Sequence, residues 1–185
     1  MKTNSLLVNK FGIPLDNLST LDIKEQLSFE SKHMTFFNID ASMAEYLKAM
    51  PRRIYCNKNL VLPLKRALTS LIEQGLHTDL RTYDGCFNIR PIRGYESQFK
   101  KLMKEGKIED ASTFLSTHSW GMAIDLNASW NKLGAIPTLS REFVNCFKKE
   151  GFKWGGEFSR KDGMHFQIDL QEESDLILLV FLPTN

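Results

Sequence analysis

The chain has 185 residues, of which 42% are hydrophobic and 25% are charged, a composition typical of a globular protein with one domain. Its formal net charge of +2 does not favour a protein that binds nucleic acid by neutralising phosphates. The cysteines, Cys56, Cys86 and Cys146, are widely spaced and form no Cys-x-x-Cys unit. This pattern favours reduced, partly buried thiols over a disulfide framework, and it leaves a Cys56–Cys86 bridge open.

Residues 1–50 show the weakest hydrophobic periodicity in the chain, and a short helix is predicted over residues 42–49. We predict that residues 1–50 form an N-terminal extension that packs on a domain formed by residues 51–185. A separate binding arm is the alternative that the sequence leaves open.

Hydrophobic spacing and turn residues predict the elements that follow. A helix begins near Pro63, which suits a first helical turn, and Gly75 caps its end. The turn dipeptide Asp84-Gly85 predicts a hairpin within residues 80–93. A helix is predicted over residues 96–104, ended by Gly106, and another over residues 140–149, with Ser140 as N-cap. Strands are predicted over residues 121–126 and 165–170. Helices and hairpins without a regular βαβ order indicate an α+β fold with a small, mainly antiparallel sheet and flanking helices.

Two motifs, in residues 116–125 and 162–166, hold two of the chain's four histidines. If the predicted strands that carry Asp125 and His165 are neighbours, both side chains reach one face of the sheet, and His118 arrives from the loop before them. Two imidazoles and one carboxylate suit Zn²⁺ better than Mg²⁺ or Ca²⁺. Three such ligands leave a fourth position for water, as in catalytic zinc sites. We therefore predict that His118, Asp125 and His165 bind Zn²⁺.

Asp162 lies three residues before His165, with Gly163 between them to let the backbone bend. Zinc lowers the pKa of a bound water to about 7, and a carboxylate beside that water accepts its proton and delivers it to the leaving amine. We predict that Asp162 is this general base. The alternative is a turn-forming aspartate, since Asp-Gly is common in turns.

Arg90 and Arg93 are candidates for holding the negative charge that develops during hydrolysis. We assign this role to Arg93, which lies beside Gly94, and a surface salt bridge is the alternative for either arginine. Ser116 lacks the Gly-x-Ser-x-Gly context of a serine nucleophile, so we expect it to cap or orient the histidine loop.

The motifs match the pattern of a known family. The matching stretches are Ser116-x-His118-x-x-Gly121-x-Ala123-x-Asp125, Trp154-Gly155-Gly156 and Asp162-x-x-His165-Phe166. In these residues the chain resembles the zinc D-Ala-D-Ala carboxypeptidase and L-alanyl-D-glutamate endopeptidase family (the LAS peptidases), which includes many phage endolysins. The resemblance covers about residues 83–168 and implies a Hedgehog/DD-peptidase-like fold. Residues 95–115 are longer than expected in the endolysin-like subgroup and predict a helical insertion that shapes the cleft.

The resemblance implies the same site: zinc on His118, Asp125 and His165, Asp162 as general base, and Arg93 beside the substrate. The implied activity is hydrolysis of a bond involving a D-amino acid in the peptide stems of bacterial peptidoglycan, by an endolysin-like endopeptidase or a D,D-carboxypeptidase. The alternative is a non-catalytic peptidoglycan-binding or phage structural module that retains the zinc site. A general base argues against that alternative, because a binding module does not need one.

The remaining expectations concern partners and location. No apolar run approaches the roughly 20 residues that a membrane-spanning helix needs, so no membrane insertion is expected. The apolar stretch near the N-terminus is too short for a signal peptide. We expect a monomer that is made in the cytoplasm and acts on the cell wall after release, in phage or prophage lysis.

Overall fold

A computed structural model describes residues 2–14, 29–168 and 170. Its helices are α1 (Lys2–Phe11), α2 (Ala41–Tyr46), α3 (Lys58–Glu73), α4 (Glu96–Lys104), α5 (Ile108–Ser112) and α6 (Arg141–Lys148). Its strands are β1 (Met34–Asn38), β2 (Arg53–Asn57), β3 (Tyr83–Gly85), β4 (Ala123–Leu126), β5 (Phe152–Trp154) and β6 (His165–Ile168). Short 3₁₀ helices span Leu76–Asp79, Thr117–Trp120 and Gly155–Glu157. Within the described ranges, no helix is long and apolar enough to cross a membrane.

Two antiparallel sheets organise these elements. The larger sheet has the strand order β3-β4-β6-β5, and every neighbouring pair in it is antiparallel. The smaller sheet pairs β1 with β2, from Met34 opposite Asn57 to Asn38 opposite Arg53. The predicted α+β class, with mainly antiparallel sheets and flanking helices, is confirmed.

The hydrophobic core lies between α3, α6 and the larger sheet. Leu60, Leu64 and Leu71 recur at helical spacing on α3 and are fully buried. The ring of Phe147 on α6 lies 4.4 Å, centroid to centroid, from the ring of Phe166 on β6. Because Phe166 directly follows His165, this aromatic contact fixes the strand that presents a predicted zinc ligand.

The predicted helix at Pro63 begins earlier than expected. The side chain of Asn57 accepts a hydrogen bond from the Asn59 backbone N–H (3.0 Å), and this N-cap starts α3 at Lys58. Pro63 therefore lies inside the helix and not in its first turn, which costs the helix one backbone hydrogen bond. The predicted end is confirmed, since Gly75 adopts the left-handed conformation (φ 70°) just after the helix.

The predicted hairpin around Asp84-Gly85 is wrong. These two residues lie within β3, which pairs with β4, and the chain after them does not return along β3. Instead, Asn88 donates its backbone N–H to the His118 carbonyl (3.1 Å), and Pro91 forms a bridge with Leu115. Residues 86–91 are therefore hydrogen-bonded to the histidine loop.

The other predicted helices agree with the structure. α4 spans the predicted residues 96–104, and Ser140 caps α6 by accepting the backbone N–H of Phe143 (3.2 Å). Residues 95–115, the predicted insertion, contain α4 and α5, which contact each other. The predicted strands at 121–126 and 165–170 correspond to β4 and β6, and residue 169 lies outside the described ranges.

The N-terminal residues contact the rest of the protein at several places. Helix α1 packs on α5 and on the 3₁₀ helix Thr117–Trp120, and Trp120 donates its indole N–H to the Gly12 carbonyl (2.9 Å). Strand β1 pairs with β2 across the predicted boundary at residue 50. The division into an extension and a second unit stays a prediction.

Candidate metal centre and active-site cleft

The register of β4 and β6 brings the two motifs together. Asp125 lies directly opposite His165, and Ala123 lies opposite Gln167, so these four side chains share one face. His118 comes from the 3₁₀ helix Thr117–Trp120 immediately before β4. The turn between them needs Gly121 (φ 64°), because a Cβ there would lie 2.8 Å from the backbone nitrogen of Asn57.

The three predicted ligands form a tight triangle. His118 Nε2 and His165 Nδ1 each lie 3.1 Å from Asp125 Oδ1, and the two nitrogens are 3.1 Å apart. Both imidazoles are buried, and the carboxylate side chain is 13% exposed. In the described part of the chain, these residues are the one group of three or more metal-ligating side chains whose atoms converge in this way.

Each imidazole places its other ring nitrogen on an acceptor outside the triangle. His118 Nδ1 lies 2.6 Å from the Cys86 carbonyl, and His165 Nε2 lies 3.0 Å from Gln167 Oε1. Thr117 Oγ1 also contacts His165 Nε2 (3.3 Å) and donates to Gln167 Oε1 (3.2 Å). With protons on these outer nitrogens, the lone pairs of His118 Nε2 and His165 Nδ1 point at each other and at Asp125, and such outer contacts are typical of metal-binding histidines.

This donor set fits Zn²⁺. Two imidazole nitrogens and a carboxylate oxygen are common zinc ligands, and donors bound to tetrahedral zinc are roughly 3.3–3.6 Å apart. The observed spacing of 3.1 Å is only slightly shorter. Two imidazole lone pairs that face each other are unfavourable unless a proton or a cation lies between them.

Burial and neighbouring charges shift the pKa values of Asp125 and His165 in opposite directions. Burial raises the pKa of Asp125, but the hydrogen bonds and charges of His118 and His165 lower it more, so the net pKa lies well below its usual range. Burial lowers the pKa of His165, but the hydrogen bond and charge of Asp125 outweigh it, and the net pKa is raised. A cation at this position is therefore favoured.

Asp162 lies beside the triangle with an unsatisfied oxygen. Its Oδ1 is buried and has no hydrogen-bond partner among the described residues. Burial is the main reason that the pKa of Asp162 is raised, and the charge of Asp125 adds to this effect while His165 opposes it. A buried, unpaired carboxylate of raised pKa is suited to accepting a proton.

Backbone contacts hold Asp162 close to His165. The Asp162 N–H donates to the Gly155 carbonyl (2.9 Å), and the His165 N–H donates to the Asp162 carbonyl (3.0 Å). A Cβ at Gly155 would collide with the Asp162 carbonyl oxygen and lie 3.1 Å from His165 Cβ. Gly155 therefore allows the two segments to approach each other.

Asp162 and His165 open onto a cleft of about 470 Å³. Its charged wall contains Arg90, Arg93, Lys153 and Arg160 in addition to Asp162. None of the three arginines forms an ion pair with a carboxylate in the part of the chain that the structure describes. The cleft is thus positively charged and suited to an anionic ligand.

The structure places both predicted arginines in this cleft. Arg93 is exposed at the edge, and Arg90 is half-buried. Burial and the charge of Arg93 lower the pKa of the Arg90 guanidinium, whereas Asp125 and Asp162 raise it. Arg90 therefore interacts electrostatically with both carboxylates of the site, and the charge of Arg93 lowers the pKa of Asp162. The role assigned to Arg93 stays a prediction.

Ser116 and Ser119 differ in what they do. Ser116 is the N-cap residue of its 3₁₀ helix, but its side chain makes no capping hydrogen bond, and only its backbone N–H donates to the Arg90 carbonyl (2.9 Å). Ser119 instead bonds through its side chain, accepting the Arg90 N–H and donating to the Arg90 carbonyl (both 3.1 Å). The expected orienting side chain is thus that of Ser119.

The groups that contact the outer imidazole nitrogens were not predicted from the sequence. Gln167 follows His165 by two residues on the same strand face, and this spacing was the available signal. Thr117 is adjacent to His118 and gave no signal of its own. The Cys86 carbonyl is a backbone group 32 residues from its partner, so its contribution could not be inferred from residue type.

The two remaining histidines, His33 and His77, do not line the cleft and pack against aromatic side chains. The His33 ring packs between Phe11 and Phe29, with centroids 5.3 Å away in each case. The His77 ring packs against Tyr46 at 5.2 Å.

Comparison with known proteins agrees with this geometry. The family model described as D-alanyl-D-alanine carboxypeptidase matches residues 109–168, which include the three predicted ligands and Asp162. The sequence resemblance to this peptidase family is confirmed in that segment. The match supports a peptidase activity for the chain.

Other comparisons are weaker. The crystal structure of the Serratia marcescens L-Ala D-Glu endopeptidase ChiX is 18% identical, covers 71% of this chain and 90% of its own, and superposes with a TM-score of 0.33. No curated protein sequence matches the chain.

Proposed function

We propose that this protein is a zinc-dependent peptidase that hydrolyses a peptide bond involving a D-amino acid in bacterial peptidoglycan stems. The observation that carries the proposal is the unpaired Asp162 carboxylate beside the His118–Asp125–His165 triangle, at the base of a positively charged cleft. Zinc, when bound by the triangle, would polarise the scissile carbonyl as a Lewis acid and lower the pKa of a water. The family match over residues 109–168 supports the same reaction class.

The chain's own residues carry out the proton transfers and hold the substrate. Asp162 accepts a proton from the attacking water at its unpaired Oδ1 and delivers it to the leaving amine. Arg90 and Arg93 stabilise negative charge on the substrate, since guanidinium groups form strong hydrogen bonds with carboxylates and oxyanions. The Cys86 carbonyl and Gln167 keep the two imidazoles in the orientation that binds a cation.

The proposed substrate is a peptide with free carboxylates, and the proposed site of action is the bacterial cell wall. A peptide with carboxylates suits the cleft because three of its arginines lack carboxylate partners among the described residues. The reaction removes a terminal D-Ala or cuts a bond within the stem. The enzyme acts as a monomer on the cell wall after release from the cytoplasm, in phage or prophage lysis, with residues 51–185 as catalytic domain and residues 1–50 as extension.

The test combines zinc analysis of the purified protein with digestion of peptidoglycan and mass spectrometry of the fragments. We expect one bound zinc per chain and soluble fragments whose masses identify the cleaved bond. His165→Ala should lose the zinc, and Asp162→Ala should keep the zinc and lose cleavage. Glu157→Gln, which changes an exposed carboxylate in the same region, is the matched control and should behave like the wild type.

Two outcomes would contradict the proposal. Stoichiometric zinc without cleavage of any wall preparation would favour a non-catalytic peptidoglycan-binding or phage structural module. Cleavage that persists in both the Asp162→Ala and His165→Ala variants would show that the reaction takes place elsewhere.

A further inference from the structure

Arg160 lies in the loop between β5 and β6 and contacts the segment that carries Arg93. Its Nη1 donates a hydrogen bond to the Arg93 carbonyl (3.1 Å). The guanidinium lies close to Gly94, since a Cβ at that residue would be 3.1 Å from Nη1. Gly94 also has φ 95°, a conformation that side chains disfavour. This segment thus provides both an acceptor and a side-chain-free surface that orient Arg160.

Most of the Arg160 hydrogen-bonding capacity is not used by the protein. A guanidinium has five N–H donors, and within the described residues Arg160 makes one side-chain hydrogen bond and no ion pair within 4.0 Å. Glu96 is close enough to interact with it electrostatically. Glu96 itself accepts the Gly94 N–H (2.8 Å), so its carboxylate is directed at the backbone.

The position of Arg160 in the cleft suggests what its free donors contact. Arg160 and Arg93 line the cleft together with the aromatic side chains of Tyr95 and Phe158, and the same cleft contains Asp162. A fixed, planar guanidinium with unused donors is suited to bidentate binding of a carboxylate. The neighbouring cation Lys161 does not line the cleft.

We propose that Arg160 is a specificity-determining residue that binds a free carboxylate on the peptide substrate, and we test this with the α-carboxylate of the D-Glu residue in the stem. This inference rests on the proposed peptidase function and concerns the choice of substrate. A peptide in which this carboxylate is converted to an amide loses the charge and one acceptor oxygen, and it binds less well. Arg160 therefore selects acidic stems over amidated stems.

The experiment uses the full-length zinc-loaded protein and two synthetic stem pentapeptides. Both contain an L-Ala–D-Glu bond and a D-Ala–D-Ala bond, so either cleavage is detected, and they differ only in whether the D-Glu α-carboxylate is free or amidated. We expect the wild type to have about tenfold higher kcat/KM for the free acid, with the difference mainly in KM. Arg160→Gln should reduce this ratio to about 1, and Arg160→Lys should give an intermediate value.

Lys161→Gln is the matched control, because it removes one positive charge from the adjacent, exposed residue and should keep the wild-type ratio. If wild-type protein cuts both peptides equally well, or if Arg160→Gln lowers activity on both without changing the ratio, Arg160 only tethers the loop and the inference is wrong. If the wild type cuts neither peptide and no peptidoglycan, the proposed function itself fails. Circular dichroism and zinc content establish that each variant is folded and loaded.

Discussion

Gln167 contacts the ring nitrogen of His165 that faces away from the His118–Asp125–His165 triangle. Its Oε1 lies 3.0 Å from His165 Nε2, and it also accepts the hydroxyl proton of Thr117. The residue opposite on β4 is Ala123, whose small side chain leaves room for this buried contact. An acceptor at this position keeps the proton on Nε2 and the lone pair on Nδ1.

We expect Gln167→Leu to weaken zinc binding about 10- to 100-fold, because the outer acceptor of His165 is lost. Gln167→Glu retains an oxygen acceptor and should bind zinc at least as well as the wild type. Competition with a chromophoric chelator at fixed pH measures the affinity, and nitrogen NMR of the metal-free imidazoles reports the tautomer. Gln98→Leu, on the exposed side of α4, is the control, and an unchanged affinity in Gln167→Leu would falsify the assignment.

The buried carboxylate of Asp162, the proposed general base, lowers the stability of the folded protein when it is ionised. Because its pKa is raised in the folded protein, the folded state holds this proton more tightly than the unfolded chain does. Ionisation of Asp162 therefore destabilises the metal-free protein as the pH rises above the ordinary pKa of 3.8. Asp162→Asn removes that ionisation and also removes the base.

We expect metal-free Asp162→Asn to be more stable than the wild type at neutral pH, because the ionisation that burial disfavours is removed, and to lose about 10²- to 10⁴-fold in activity when zinc is present. Urea unfolding in the presence of a chelator measures the first effect, and it should disappear at a pH below 3.8. Asp110→Asn, an exposed substitution of the same kind, should change neither quantity. A variant that is less stable at every pH contradicts the role of burial.

At the scale of single residues, the sequence predicted which side chains converge better than which groups support them. The convergence of His118, Asp125 and His165 could be predicted because strand alternation fixes the shared face. Their zinc binding and the catalytic role of Asp162 stay predictions. The hydrogen bond from His118 to the Cys86 carbonyl could not be predicted, since any residue supplies a carbonyl and only the fold decides which one arrives.

At the scale of elements, α1 contributes to the cleft wall through Asn4. The buried Asn4 amide donates to the carbonyls of Thr113 (2.8 Å) and Leu115 (2.6 Å), and Asn4 itself lines the cleft. Leu115 immediately precedes the histidine motif. Helix α1 is therefore hydrogen-bonded to the segment that leads into the candidate metal site.

We expect Asn4→Ala to lower the free energy of unfolding by about 1–3 kcal/mol, because two carbonyl groups lose their donor. Asn9→Ala is the matched control, since Asn9 is an exposed asparagine on the same helix and its loss should change stability by less than about 0.5 kcal/mol. Chemical denaturation of both variants measures the difference. Equal, small effects would mean that α1 contributes little to this wall.

Local sequence features predicted some of the secondary-structure elements but not how the strands pair. Helices α4 and α6 were predicted correctly because glycine breaks, and in α6 the Ser140 cap, are local features. The hairpin at Asp84-Gly85 was wrong because a turn dipeptide does not specify which strand pairs with which. The structure of residues 80–93 depends instead on long-range contacts. These are the pairing of β3 with β4 and the hydrogen bonds from residues 86–91 to the histidine loop.

At the scale of the whole molecule, the free energy of unfolding should depend on whether zinc is bound. A ligand that binds only the folded state adds about 4 kcal/mol when its free concentration is a thousand times Kd. We expect a chelator to lower the melting temperature and abolish cleavage, and we expect added Zn²⁺, but not Mg²⁺, to restore both. The melting temperature of His165→Ala should not respond to zinc; a response as large as that of the wild type would place the metal elsewhere.

The residues of the candidate site are far apart in the sequence, and this distance affects when they come together during folding. His118 must meet a carbonyl 32 residues away and a second imidazole 47 residues away. Contacts of this span close long loops, and we expect them to form after the transition state. Zinc should therefore slow unfolding and leave the refolding rate nearly unchanged, which stopped-flow kinetics with and without the metal would show. Zinc binding would then prolong the lifetime of the folded chain.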